Sequence, residues 1–184
     1  MANFKEAYEI LKRLEFNSPK SALHKNEGEE GLTWMGIYEK ANPGWIGWEK
    51  IRPTLRAAGS MEEASVVLYK DALLQADTAN FYKFKYWNKI RGGDINSQRV
   101  ANEIFIFGVN AGIAVAIKAA QKIVGVTADG VIGEVTLRAL NEYDEERFDK
   151  EFDRSEVKHY NALIEENPKL KINANGWRNR AEAV

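Results

Sequence analysis

The run VANEIFIFGVNAGIAVAIKAAQKIVG, Val100 to Gly125, constrains this chain most. It is long enough to argue for helix over strand, although Ile104, Phe105, Ile106 and Val109 alone would fit either. A helix apolar on nearly every side belongs at the centre of a bundle. The uncharged stretch from Ile104 to Ile117 is too short to span a bilayer, so it reads as a core helix. Gly108 and Gly112, four residues apart, would let another backbone come close.

The flanking sequence supplies further helices. Phe4, Ala7, Tyr8 and Leu11 recur at helical spacing and predict a helix over residues 3 to 15. Residues 16 to 34 suggest at most a short second helix ending near His24, with a turn at Gly28-Glu29-Glu30-Gly31. Asn42-Pro43-Gly44 is a turn signal, and Gly47 and Pro53 extend the irregularity. Ser60 with Glu63 has capping-box spacing and predicts a long helix to about Asn88. Arg91-Gly92-Gly93-Asp94 breaks it. Further helices run through Leu140 and over residues 145 to 166, where Pro168 ends the pattern. No segment shows convincing strand alternation. The expectation is a mostly α helical bundle in one compact globular unit.

At 184 residues the chain can bury roughly 70% of its unfolded surface without disulfides, and it has no cysteine. A net charge of -1 gives no basic field for nucleic acid. The opening MANFKEAYEI lacks the apolar core of a secretory signal. The expectation is cytoplasmic synthesis, no stable membrane association and a monomer.

With only His24 and His159 and no cysteine, zinc chemistry is disfavoured, and no metal site or cofactor is expected. No G-x-S-x-G elbow and no phosphate-binding glycine loop is present. What remains is carboxylate chemistry, in which one carboxyl protonates a glycosidic oxygen and a second group serves the opposite face of the sugar. The stretch HKNEGEEGLTWMG, His24 to Gly36, puts Glu27, Glu29 and Glu30 in one turn. Trp34, Trp45 and Trp48 follow nearby as possible sugar platforms or as core.

Glu27-Gly28 and the segment GLTWMGI, Gly31 to Ile37, resemble the motifs of the glycoside hydrolase family 108 lysozymes, which are N-acetylmuramidases and include phage endolysins. FGVNAG (Phe107 to Gly112), VGVTADGVIGEVTLRAL and the ending with Gly176-Trp177 and Arg180 resemble the peptidoglycan-binding part attached to that family. The resemblance implies a catalytic part over 1–90 and a helical peptidoglycan-binding part over 91–184. It places the general acid on Glu27, with Glu29 and Glu30 as alternatives, because Glu29 stands where the motif has a second glycine. Thr33, Trp34, Tyr86, Trp87 and Asn110 are the expected substrate-binding residues. Bacterial peptidoglycan is the implied partner, reached in the periplasm after holin-type release. A non-enzymatic peptidoglycan-binding or phage structural module stays open beside the enzyme.

Overall fold

The computed structural model describes residues 1–16 and 18–173. Gly176, Trp177 and Arg180 therefore lie outside the described residues. The described residues are mostly helical and divide into two compact units. One comprises Tyr8–Tyr82. The other combines Met1–Ala7 with the chain from Lys83 onward. The division of the two units falls between Tyr82 and Lys83, and the first seven residues belong with the later part.

In the Tyr8–Tyr82 unit, α1 (Phe4–Glu15) contributes its later turns, with Tyr8 and Leu11 buried. Three two-residue strands follow instead of a second helix: β1 (Leu23–His24), β2 (Thr33–Trp34) and β3 (Ile37–Tyr38). They pair antiparallel, Leu23 opposite Trp34 and Thr33 opposite Tyr38. Met35 and Gly36 turn β2 into β3, and both have positive φ (41° and 76°). A two-residue hairpin loop with left-handed residues matches the twist of the strands it joins. Position 36 also has no room for a side chain, since a Cβ there would lie 2.7 Å from the Tyr82 hydroxyl.

Helix α2 (Trp48–Ala57) runs straight through Pro53, against the expected irregularity. Burial of Trp48 and Ile51 offsets the proline, and the Trp48 indole N–H donates to the Asn42 carbonyl at 2.8 Å. Helix α3 (Met61–Tyr69) starts as its capping pattern predicts, with Ser60 Oγ accepting from the Glu63 N–H. Glu63 reaches back one residue further than expected, to the Gly59 N–H. The long helix predicted from there is broken. Asp71 accepts the Leu74 N–H and so starts α4 (Ala72–Tyr82) afresh. A π-helical turn over Lys83–Trp87 then carries the chain into the other unit.

That unit is built on α5 (Gln98–Ala111), α6 (Ile113–Ile123), α7 (Glu134–Glu142) and α8 (Glu145–Glu166). Every residue of α5 from Val100 to Gly108 is buried, as an all-round apolar helix requires. The apolar run is nonetheless two helices. Gly112 takes φ 99°, which an L side chain resists, and the helix ends there. At Gly108 the close neighbour is a side chain and not the expected backbone: a Cβ there would lie 2.8 Å from the end of the Ile113 side chain, while the Ile113 backbone stays at 3.7 Å. Helices α5, α6 and α8 pack on one another. Among the described residues, no helix is long and apolar enough to cross a membrane.

Candidate active site

The Tyr8–Tyr82 unit holds a cavity of about 440 Å³ between the end of α1 and the small sheet. Two carboxylates line it, Glu15 and Glu29, together with His24, Asn26, Thr33 and Tyr38. They come from different elements. Glu15 is the last residue of α1. Glu29 closes a turn whose backbone N–H returns to the Asn26 carbonyl, and Gly28 supplies the left-handed residue that turn needs (φ 79°). The Asn26 amide also donates to Glu29 Oε2 at 3.0 Å, fixing the carboxylate over the turn. The His24 ring nitrogen Nδ1 donates to the Ser21 carbonyl at 2.9 Å.

Thr33 is the most telling residue of the wall. Its hydroxyl is buried and has no hydrogen-bond partner among the described residues. A buried polar group is normally satisfied, and an exception calls for an explanation such as a ligand. The aromatic lining comes from Phe16 and Tyr38, both half-buried.

Several expectations from the sequence move. Glu27 is exposed and does not line the cavity, because the turn directs the chain so that Glu29 faces inward two residues later. Glu30 points outward and pairs with Lys40 at 3.4 Å. Trp34 is no sugar platform. Its side chain is fully buried, and its indole N–H donates to Thr78 Oγ1 at 2.9 Å. Trp45 packs edge-on against the buried Trp48 instead of lining the cavity. Glu39 is committed elsewhere: the Leu32 N–H and the Arg52 guanidinium hold its carboxyl below the usual range.

The remaining expected binding residues sit in the other unit. Trp87 is buried edge-on against Phe4 and Phe105. Tyr86 is half-buried, and burial pushes its hydroxyl pKa up. Asn110, expected to bind substrate, is exposed and donates to the Ile106 carbonyl of its own helix. Of the substrate-binding set, only Thr33 meets the cavity. Glu15 escaped sequence reading, although its place at the end of the first predicted helix was a usable signal.

Residues 22–112 match the family described as Glycosyl hydrolase 108, and residues 115–182 match a Predicted Peptidoglycan domain. No curated protein matches the sequence significantly. A solved structure, "Structure of Brucella abortus SagA", is similar at a TM-score of 0.67 and 25% identity, over 97% of this chain and 89% of that one. Glu29 of the cavity falls within the first matched segment and Glu15 just ahead of it; the chain carries a glycosyl hydrolase 108 segment followed by a peptidoglycan-binding part.

Proposed function

We propose that the chain is an N-acetylmuramidase, cleaving the β-1,4 bond between N-acetylmuramic acid and N-acetylglucosamine in the cavity of the Tyr8–Tyr82 unit. The observation that carries this reading is that Glu15 and Glu29 line one cavity together with Thr33, whose hydroxyl has no hydrogen-bond partner among the described residues. Glycoside hydrolysis asks for such a pair of carboxyl groups, one giving a proton to the leaving oxygen and one serving the anomeric carbon. Glu15 is seated at the end of a helix anchored by Tyr8 and Leu11, a firm mount for a proton donor. Glu29 already accepts from Asn26, as befits a carboxylate acting as base or charge stabiliser. In this assignment Glu15 protonates the bridging oxygen. Glu29 orients water or faces the developing positive charge, and Thr33 holds a sugar hydroxyl or amide.

The test is incubation with purified cell walls, following turbidity, new reducing ends and new amino groups. Reducing ends without amino groups are expected. Glu15→Gln and Glu29→Gln should each lose roughly 10²–10⁴-fold of the rate, the worth of a general acid or base, while the folded far-ultraviolet spectrum persists. Glu27→Gln should keep full activity. Loss of activity in Glu27→Gln alone would return the acid to the first carboxylate of the turn. Binding to walls without any cleavage would favour the non-enzymatic module, and amino groups alone an amidase or peptidase.

A further inference from the structure

We propose that the helical unit carries a second ligand site, a groove of about 730 Å³ that takes the anionic stem peptide of peptidoglycan. This rests on the peptidoglycan reading above and concerns a different part of the chain. The groove runs between the first residues of the chain and the segment Lys83–Asp94, so it lies outside residues 115–182, which match the peptidoglycan domain. Its apolar side is built from Phe4 and Trp87, whose rings meet at 5.8 Å and are fixed by Phe105 behind them. The backbone at Gly92 lies directly on the Trp87 indole, where a Cβ would come within 2.5 Å of the ring. The N-terminal segment is strapped down as well: the Ala2 N–H donates to the Ile95 carbonyl, and the Asn3 N–H to Gln98 Oε1. The groove is therefore preformed.

Its charges are unevenly spent. Arg91 is committed to Asp94 and Glu134, at 2.8 and 2.7 Å. Lys5 and Lys83 also line the groove, both exposed, and neither makes an ion pair among the described residues. Lys83 Nζ sits 6.0 Å from the centre of the Phe4 ring, so one cation stands over the apolar wall itself. Two unspent ammonium groups beside an apolar strip suit an extended ligand with small apolar side chains and free carboxylates. A stem peptide has both, in its alanine methyls and in the carboxylates of its D-glutamate, diamino acid and terminal residue. Ammonium groups of this kind add specificity and speed association more than they add raw affinity.

The experiment titrates the tetrapeptide L-Ala–γ-D-Glu–diaminopimelate–D-Ala into the full chain by calorimetry. Saturable binding that weakens with salt is expected. The double variant Lys5→Ser/Lys83→Ser should bind about tenfold more weakly or worse, and so should the parent chain with an amidated tetrapeptide. Gly93→Glu is a second variant that folding should tolerate, because a Cβ there meets nothing within 4 Å, and its added negative charge should also weaken binding. Absence of binding by the parent, or unchanged binding in the variants, overturns the proposal. Tighter binding of poly(glycerol phosphate) than of the tetrapeptide overturns it in favour of a wall phosphate polymer. A peptide-free glycan oligosaccharide should be cleaved equally by parent and double variant. Failure of that cleavage in the parent would sink the hydrolase reading while leaving the peptide titration intact.

Discussion

The two units each bury a polar side chain that no neighbour satisfies, and the two cases mean different things. In the Tyr8–Tyr82 unit it is the hydroxyl of Thr33, a residue of the cavity lining. In the helical unit it is the Glu103 carboxyl on α5. Burial, followed by the nearby Glu156, Asp153 and Asp149 carboxylates, raises Glu103 to about 10. Glu156 on α8 is raised to about 8, again chiefly by burial. Strongly shifted groups often mark functional sites. Glu103 nevertheless lines neither the cavity of Glu15 and Glu29 nor the groove, so its shift reports a cost within the core. Access to a ligand, more than electrostatic oddity, separates a site from a flaw in packing.

Three substitutions can break or sharpen this contrast. The largest effect is expected from Trp34→Ala, which should destabilise the first unit by about 3–5 kcal/mol in urea unfolding. A mild stability loss with a large loss of substrate affinity would instead return Trp34 to the substrate wall.

Glu103→Gln comes next. The folded chain holds a proton on Glu103 that the unfolded chain releases above the ordinary value of 4.5. Its contribution to stability is therefore full below about 4.5 and lost progressively as pH rises towards about 10. Glu156 acts with the same sign up to about 8. The variant should be more stable than the parent at pH 8 to 9 by about 1–3 kcal/mol, and its melting temperature should fall less between pH 6 and 9. A parent whose melting temperature rises over that range would contradict the buried, protonated carboxyl.

The smallest effect separates the two cases most cleanly. Thr33→Val keeps the volume and removes a buried hydroxyl that has no partner among the described residues, so the folded chain should be equally stable or slightly more so. The kcat/KM on cell walls should still fall about tenfold, near 1.4 kcal/mol of transition-state binding. Unchanged kinetics would make Thr33 a second Glu103, a polar group without a task.

Much of this architecture was legible in the sequence, and the illegible parts share a cause. The buried α5 could be read because its apolar residues leave no polar face. Its end at Gly112 could not, since a glycine inside an apolar run looks the same whether its φ is negative or 99°. Strands of two residues are shorter than any alternation pattern, so the sheet carrying Thr33 gave no periodic signal. The N-cap role of Asp71 was hidden because helical residues continue on both sides. At the cavity, the sequence narrowed the chemistry to carboxylates and pointed to the turn that supplies Glu29. Which of its glutamates faces inward depends on the left-handed Gly28, and the partnership with Glu15 depends on a helix end brought back by the fold. Neither is a matter of spacing along the chain.

The discontinuous second unit has a consequence for anyone who would shuffle this protein. The stretch matching the hydrolase family stops at residue 112, and so takes with it α5, the buried centre of the other core. That core in turn borrows its first seven residues from the opposite end of the sequence. Scissors applied at the family border would leave one fragment with an orphaned greasy rod and the other with a hollow where it belonged. Hydrolase and wall-binding halves here are not interchangeable beads but must be inherited, expressed and engineered as one piece.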